Sequence, residues 1–256
     1  TDSGTVTVAG NLVATTDANN GVIDLGTTTV TGTMDLTSDG SGNVTIDNAT
    51  TDIVLIASEI GGNLTLTTGN ASGITDTGTV TVAGNLVATT DANNGVIDLG
   101  TTTVTGTMDL TTNGSGNVTI DNATTDIVLI ASEIGGNLTL TTGNASGITD
   151  TGTVTVGGNL VATTDANNGV ITLDQTAVTG TVALTTNGSG NATFDNGTLN
   201  LDLAASNVGG NLTLTSGASA GITDSGTVTV AGNLVATTDA NNGVIDLGTT
   251  TVTGTM

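Results

Sequence analysis

The sequence contains no Lys, Arg, His, Cys, Pro, Trp or Tyr, and its 256 residues include a single Phe. The absence of basic side chains beside 23 carboxylates gives the chain a formal charge of −23. We therefore expect no nucleic-acid partner and no binding to anionic membranes, because Lys and Arg mediate both. Without Cys, neither a disulfide framework nor a thiolate metal site can form.

The same absences remove most catalytic side chains. General acid–base and nucleophilic catalysis usually use His, Lys, Cys or Tyr, and the chain has none of them. Paired carboxylates could still act as they do in glycoside hydrolases, and some sugar-processing enzymes are β-helices. The aromatic platforms of sugar sites are missing, so we expect no enzyme and predict no catalytic, cofactor-binding or metal-binding residue.

The residues that are present favour strands and turns. Thr, Val, Leu and Ile suit pleated strands, whereas Gly and Asn suit corners where φ is positive. The longest apolar run is Ile53–Ala57, far shorter than a membrane span. Composition therefore predicts an all-β protein.

A long repeat dominates the sequence. The string that begins TDSGTVTVAGNLVATTDANNG at Thr1 recurs almost unchanged at Thr75, Thr149 and Thr223, with a period of 74 residues. The repeat units are residues 1–74, 75–148, 149–222 and a partial unit, 223–256. We interpret the chain as one continuous segment, 1–256, of a longer polypeptide.

A shorter motif, [V/I]-x-G-[N/T]-[L/M], lies inside each repeat. It occurs at Val8–Leu12, Val30–Met34 and Ile60–Leu64, with steps of 22, 30 and 22 residues. Each step is long enough for three short strands, the size of one solenoid coil, and stacked coils bury a continuous apolar core. This predicts a parallel β-helix (β-solenoid) with three coils per repeat and about ten coils in all. The coils would begin near Gly10, Gly32, Gly62, Gly84, Gly106, Gly136, Gly158, Gly180, Gly210 and Gly232.

The alternative fold is a string of β-sandwich domains of about 74 residues. Sandwiches usually build their core around Trp or Tyr and carry Pro in their linkers, and this chain has neither. A sandwich would also leave the shorter motif without an explanation.

Stacked coils bring equivalent side chains together, and three pairs of Asn should form short ladders. The alternative is that these Asn only occupy turn conformations. The pairs are Asn63 with Asn85, Asn137 with Asn159 and Asn211 with Asn233.

Calcium is the candidate ion that the carboxylates of this sequence could bind. Asp35–Gly40 has the D-x-[ST]-x-D-G opening of a calcium loop, with Asp35, Thr37 and Asp39 as ligands. Ile46 stands where the closing Glu belongs, so a Gly-rich solvent turn is the favoured interpretation.

Two further carboxylate patterns are possible ladders or rows. Asp24, Asp47 and Asp76 follow the anchor residues of three coils by 12 or 13 positions, so they could stack and repel without a counter-ion. The TTDANNG Asp residues recur once per repeat and should lie about 14 Å apart, beyond the screening length of ~8 Å, which needs no ion. They are Asp17, Asp91, Asp165 and Asp239.

The strings AGNLVATTDANNGVIDLG (residues 9–26) and GGNLTLTTGNASGITDTGTVTVAGNL (61–86) resemble the repeat regions of large bacterial exoproteins of the filamentous haemagglutinin type. The resemblance covers the whole chain. It implies a right-handed parallel β-helix, secretion by a two-partner or autotransporter-like route, and a role in adhesion or biofilm cohesion.

We therefore expect an extracellular structural region, at the bacterial cell surface, of an adhesin or matrix filament that acts as a long stalk. Its partners would be other copies of the chain or surface and matrix glycans. One alternative is a self-assembling sheath or surface-layer protein. A more remote one is a β-helix enzyme that processes polysaccharides.

Overall fold

The computed structural model describes residues 1–17, 19–91, 93–165, 167–217, 219, 221–238 and 242–256. Within these ranges the chain forms short β-strands joined by turns, with no helix. It divides into two compact units, residues 1–123 with 133–136 and residues 124–132 with 137–256. In each unit parallel strands are stacked coil upon coil, which confirms the predicted β-solenoid. Right-handedness stays a prediction.

The strands are three to six residues long in almost every case. Those of the first unit are β1 (Val6–Val8), β2 (Leu12–Thr15), β3 (Ile23–Leu25), β4 (Thr28–Val30), β5 (Met34–Ser38), β6 (Val44–Asp47), β7 (Ile53–Leu55), β8 (Ser58–Ile60), β9 (Leu64–Thr68), β10 (Ile74–Asp76), β11 (Val80–Val82), β12 (Leu86–Thr90), β13 (Ile97–Leu99), β14 (Thr102–Val104), β15 (Met108–Thr112) and β16 (Val118–Asp121). Strand β18 (Ser132–Ile134) contributes its last two residues to this unit.

The second unit has the same kind of strands. They are β17 (Ile127–Leu129), β19 (Leu138–Thr142), β20 (Ile148–Asp150), β21 (Val154–Val156), β22 (Leu160–Thr164), β23 (Ile171–Leu173), β24 (Thr176–Val178), β25 (Thr181–Thr186), β26 (Ala192–Asp195), β27 (Leu201–Leu203), β28 (Ser206–Val208), β29 (Leu212–Ser216), β30 (Ile222–Asp224), β31 (Val228–Val230), β32 (Leu234–Thr238), β33 (Ile245–Asp246) and β34 (Thr250–Val252).

In both units most strands pair in parallel with the strand three places further along the chain, although β5 also pairs with β7 and β25 with β27. In the first unit β3, β6, β9, β12 and β15 form such a column, with Leu64 opposite Leu86 and Leu86 opposite Met108. In the second unit β23, β26, β29 and β32 form another. Three strands therefore make one coil, and coils recur about every 22 residues, giving about 11 turns.

The coil register differs from the one expected from the short motif. Met34 pairs with Leu55, not Leu64, so the expected 30-residue coil does not exist. Leu64 instead pairs with Val44, in the neighbouring column. The number of turns is accordingly about 11 rather than ten.

Each 74-residue repeat holds ten strands, from β2 at Leu12 to β11, and β12 begins the next copy at Leu86. At about 22 residues per coil, 74 residues make more than three coils and fewer than four, so the repeat is not a whole number of coils. Leu12 therefore lies in the column of β2 and β5, and Leu86 in the column of β9 and β12. In the second unit Leu160 and Leu234 are likewise in different columns.

Aliphatic side chains from every second strand position fill the interior. Leu36, Ile46 and Leu66 are fully buried, and each buried aliphatic residue contributes roughly 1.5–3 kcal/mol. The single aromatic residue, Phe194, is also fully buried and pairs with Leu173 and Leu214. A core this narrow is filled by branched side chains and needs no further ring.

Buried hydroxyl groups fix the corners that follow the longer strands. Ser38 Oγ donates to the Gly42 carbonyl at 2.7 Å, and Thr112 Oγ1 donates to the Gly116 carbonyl at 2.7 Å. In the second unit Thr164 makes the same bond across its turn. The Gly42 and Gly116 carbonyls also accept the N–H of Gly62 and Gly136 in the next coil, so the hydroxyl bonds satisfy the buried Ser and Thr side chains and tie each corner across its turn.

The three predicted Asn pairs are in contact, but each contact runs from a backbone N–H to a side-chain oxygen rather than between two side-chain amides. Asn63 Oδ1 accepts the backbone N–H of Asn85 at 2.9 Å, and Asn137 and Asn211 accept from Asn159 and Asn233 at 2.8 Å. The preceding glycine makes room for this contact. A Cβ on Gly84 would lie 2.3 Å from Asn63 Oδ1, which explains why Gly precedes Asn in the motif.

A second class of Asn, which the sequence patterns did not reveal, is buried completely. Asn48 Oδ1 accepts the Val30 N–H at 2.8 Å, and its Nδ2 donates to the Val30 carbonyl at 3.1 Å and to the Asp52 carbonyl at 2.8 Å. The side-chain amide thus takes the place of a peptide group in the ladder. In the second unit Asn196 binds Val178 in the same way.

We predict that Asn48→Ala destabilises the fold by roughly 2–4 kcal/mol, because it leaves several buried backbone groups of β4 and its neighbouring turn without partners. The measurement is the denaturation midpoint together with hydrogen exchange at the Val30 amide. Asn113→Ala is the matched control, since Asn113 is exposed. Equal protection of Val30 in both variants would contradict this role for Asn48.

A second prediction concerns the Gly of the short motif. Gly84→Ala should destabilise by about 1–3 kcal/mol, because the added methyl meets the Gly62 carbonyl oxygen at 2.7 Å as well as Asn63. Gly10 occupies the equivalent position one repeat earlier and has nothing within 4 Å of its built Cβ. Thermal melts should therefore show a lower melting temperature for Gly84→Ala, whereas Gly10→Ala should be neutral. Similar losses of stability in both variants would show that backbone propensity, not crowding, determines the effect.

Candidate functional site: the aspartate corners

One carboxylate per repeat occupies a corner of the solenoid where it reaches the next coil. We call Asp2, Asp76, Asp150 and Asp224 the aspartate corners. Asp76 follows the buried Ile74 at the end of β10, so its side chain points to the turn above. Its Oδ1 accepts the Gly100 N–H at 2.9 Å, and its Oδ2 accepts the N–H and the hydroxyl of Thr101 at 3.0 and 2.6 Å.

The second unit contains two aspartate corners with different surroundings. Asp224 accepts from the Gly248 N–H and from the N–H and hydroxyl of Thr249, all at 2.9 Å. Asp150 accepts only two backbone N–H groups at 3.0 Å, from Asp174 and Gln175, and is 7% exposed. The third repeat thus replaces the hydroxyl donor by Gln and places a second carboxylate nearby.

These surroundings shift the pKa values of the two carboxyl groups in opposite directions. Burial raises the pKa of Asp150, and repulsion from Asp174 adds to this effect, although the N–H groups of Gln175 and Asp174 oppose it. Burial also tends to raise the pKa of Asp224, but the hydroxyls of Thr249 and Thr250 and two N–H groups outweigh it. The pKa of Asp224 is therefore lowered.

The calcium loop considered for Asp35–Gly40 does not form. Asp35 and Thr37 lie on the outward face of β5, where the buried Met34 and Leu36 hold the backbone extended. Asp39 follows in the turn. An extended strand cannot curl its side chains around one ion, and among the described residues no group of three or more His, Cys, Asp or Glu could hold a metal.

The considered Asp ladder does not form either. Asp24 pairs with Thr45 and Asp47 pairs with Thr67, so each of them has a Thr rather than another Asp opposite it. Asp76 lies in another column, opposite Leu55.

The TTDANNG Asp residues do not make a row along one face. Asp17 and Asp91 follow β2 and β12, which belong to different columns. Asp91 and Asp165 instead accept the N–H of Asn70 and Asn144, each at 3.0 Å. Asp239 lies outside the described residues.

Another carboxylate lines a shallow groove of the first unit, beside Thr31, Thr50 and Ser72. This residue is Asp52, whose Oδ1 accepts the Gly73 N–H at 2.8 Å. Like the aspartate corners, it binds one coil to the next. The recurring chemistry of these carboxylates is therefore the satisfaction of backbone N–H groups at turns.

Among the residues that the structure describes, no helix is long and apolar enough to span a membrane.

Comparison with known families identifies the repeat. One family model matches residues 41–94, 115–185 and 189–256, about three quarters of the chain. The chain belongs to the DUF5649 family, which is described as repeats of unknown function. Its three matches begin at Ser41, Ser115 and Ser189, the same position of each 74-residue repeat. No curated protein and no solved structure matches the chain.

The aspartate corners make a prediction about pH. The ionised form of Asp224 is favoured by the fold, so its contribution to stability is present above the ordinary carboxyl pKa and is lost as the pH falls through the lowered one. For Asp150 the sign is opposite: its raised pKa means that ionisation costs stability, which is regained as the pH falls.

Replacing Asp174 by Gly and Gln175 by Thr should give Asp150 the same surroundings as Asp224. The pKa of Asp150 should then fall. Carbon-detected NMR titration of the Asp carboxyl groups measures this change directly. Asp224 in the same sample is the internal control and should not move. An Asp150 pKa that is unaffected by the double substitution would contradict the assignment of its cause.

Proposed function

We propose that the chain is an extracellular structural repeat region of a bacterial surface adhesin or matrix filament, in which stacked coils serve as a stalk. The observation that carries this proposal is the use of polar side chains. Asn48, Asn63 and Asp76 all bind the backbone of a neighbouring coil. Polar side chains that could contact a ligand thus hold the stacked coils together instead.

The charge of the chain supports a stalk over a sheath. All 23 acidic side chains lack basic partners, so two copies laid side by side repel over a distance of ~8 Å at physiological salt. Net charge far from zero also keeps proteins soluble and separate. A sheath or surface layer would need attractive lateral contacts.

Exposed apolar residues are also unsuited to continuous lateral packing. Val161 is 38% exposed and lies between Thr139 and Ala183 on its strand neighbours. The equivalent residue in the first unit, Val87, lies between Thr65 and Asp109. Because successive repeats place these valines in different columns, they do not line up along one face of either unit.

Polysaccharide processing is the remote alternative. Turn carboxylates such as Asp52 and Asp76 already accept backbone N–H groups, and the aromatic residues of a sugar platform are absent from the sequence. We keep the expectation that the chain is not an enzyme. Detectable release of sugars from a panel of polysaccharides by the purified chain would overturn it.

Electron cryo-microscopy and sedimentation of the purified chain at physiological salt test the stalk. We expect separate elongated particles with a spacing of about 4.8 Å between strands along the long axis. A chelator should shift the melting temperature by only a few degrees. Sheets or bundles formed by the chain alone would instead support the sheath alternative.

Location needs its own experiment. Antibodies against the repeat should label intact, unpermeabilised source cells, and external protease should remove that label. Labelling that requires permeabilised cells would contradict a role at the cell surface, whatever the particles look like.

A further inference from the structure

The corners of the solenoid contain several Asn–Gly pairs, the dipeptide whose side chain and backbone can react with each other. We propose that Asn113 is a site of spontaneous deamidation in the folded protein, and that the neighbouring pair Asn94–Gly95 is protected by the fold. The inference does not depend on the proposed function. It rests on a difference between two exposed Asn residues that lie in successive coils of the first unit.

The reaction needs a mobile Asn side chain and an unhindered nitrogen. The backbone nitrogen of Gly114 loses its proton and attacks Asn113 Cγ, the Cγ–Nδ2 bond breaks, and ammonia leaves with that proton. Solvent water then opens the five-membered imide at either carbonyl, giving Asp or isoaspartate. Glycine favours the attack because it has no Cβ to crowd the nitrogen.

Asn113 meets these requirements. It is exposed, and among the described residues neither its side-chain amide nor the Gly114 N–H makes a hydrogen bond. Only the Asn113 backbone carbonyl is engaged, by the Gly116 N–H at 3.3 Å. The side chain is therefore free to turn toward Gly114.

Asn94 is equally exposed but is held in place. Its Oδ1 accepts the N–H of Ser115 at 2.7 Å and the Ser115 hydroxyl at 3.1 Å. Closing the imide ring would break both bonds. Asn168 has the same two bonds to Ser189, so the protection recurs in the second unit.

The buried pair Asn196–Gly197 is protected in a different way. Asn196 is fully buried with its amide bound to Val178, and the attacking Gly197 N–H donates to Asp195 Oδ1 at 2.8 Å. The related Asn187 in an exposed corner has one weak bond, from Nδ2 to the Thr164 carbonyl at 3.3 Å. Its reactivity should lie between those of Asn113 and Asn168.

The fold already contains the product of this reaction. Asp39 occupies the position of Asn113 one repeat earlier, and its carbonyl accepts the Gly42 N–H at 3.1 Å in the same turn. The following glycines, Gly40 and Gly114, have φ of 66° and 68°. A normal Asp at position 113 should therefore leave the corner intact while adding one negative charge.

The test is mass spectrometry of the folded chain during incubation at mildly alkaline pH. Elastase must replace trypsin for the peptide map, because the chain has no Lys or Arg. We expect Asn113 to deamidate at least about tenfold faster than Asn94, the ratio that corresponds to about 1.4 kcal/mol. Comparable rates for Asn94 and Asn113 in the folded chain would overturn the proposal.

Two controls isolate the effect of the fold. In concentrated urea the two residues should react at similar rates, whereas a difference that persists in the unfolded chain would assign it to local sequence and overturn the proposal. Asn113→Gln should remove the earliest acidic species on ion exchange, and its persistence would also refute the site. Asn113→Asp should have the same melting temperature as the wild type, because Asp39 already occupies the equivalent position one repeat earlier.

Discussion

The parallel backbone ladder between coils is the constraint on which the rest of the structure depends. Each strand must find a partner one coil away, so the chain has to return to the same column after about 22 residues. Where a turn interrupts the ladder, a side chain supplies the missing hydrogen-bond donor or acceptor. Asn48 replaces a peptide group inside the core, and Asp76 binds the N–H groups at an outer corner.

The absence of opposite charge and of large aromatic residues acts through the same ladder. A core of Leu, Ile and Val can be narrow, since short coils bury these side chains without rings. The carboxylates cannot form ion pairs with side chains, so those at the turns accept N–H groups. These hydrogen bonds differ in strength from corner to corner: Asp224 has hydroxyl donors that Asp150 lacks. Near-identical repeats therefore place equivalent carboxyls in unequal surroundings.

The fold class and the Asn63–Asn85 contact could be predicted because they depend on composition and on a step of one coil. The register between Met34 and Leu64 could not. The same motif stands in two columns, so its spacing does not tell a full coil from a coil and a fraction of the next. Only the backbone pairing of Met34 with Leu55 separates the two.

The candidate site shows a related limit. Asp35–Gly40 matches a loop pattern by residue type, but alternating burial of Met34 and Leu36 makes it a strand. Asp76 was considered only as a member of a ladder, because its true partners lie 24 and 25 residues along the chain. A signal was available in the fixed distance between TD and the LGT that follows it in three of the copies. The role of Asn48 was signalled by the DNAT and DNGT strings of all three full repeats.

The repeat is not a whole number of coils, because the equivalent strands β2 and β12 lie in different columns, and this affects how such a gene can change. Near-identical copies invite unequal recombination, which removes or adds whole repeats. The ladder survives the event, because a strand such as β12 carries the same inward residues as β2. The strands beyond the junction, however, move to a different column. In the stalk proposed above, copy number would therefore set the direction in which any part carried beyond the repeats faces, as well as how far away that part lies.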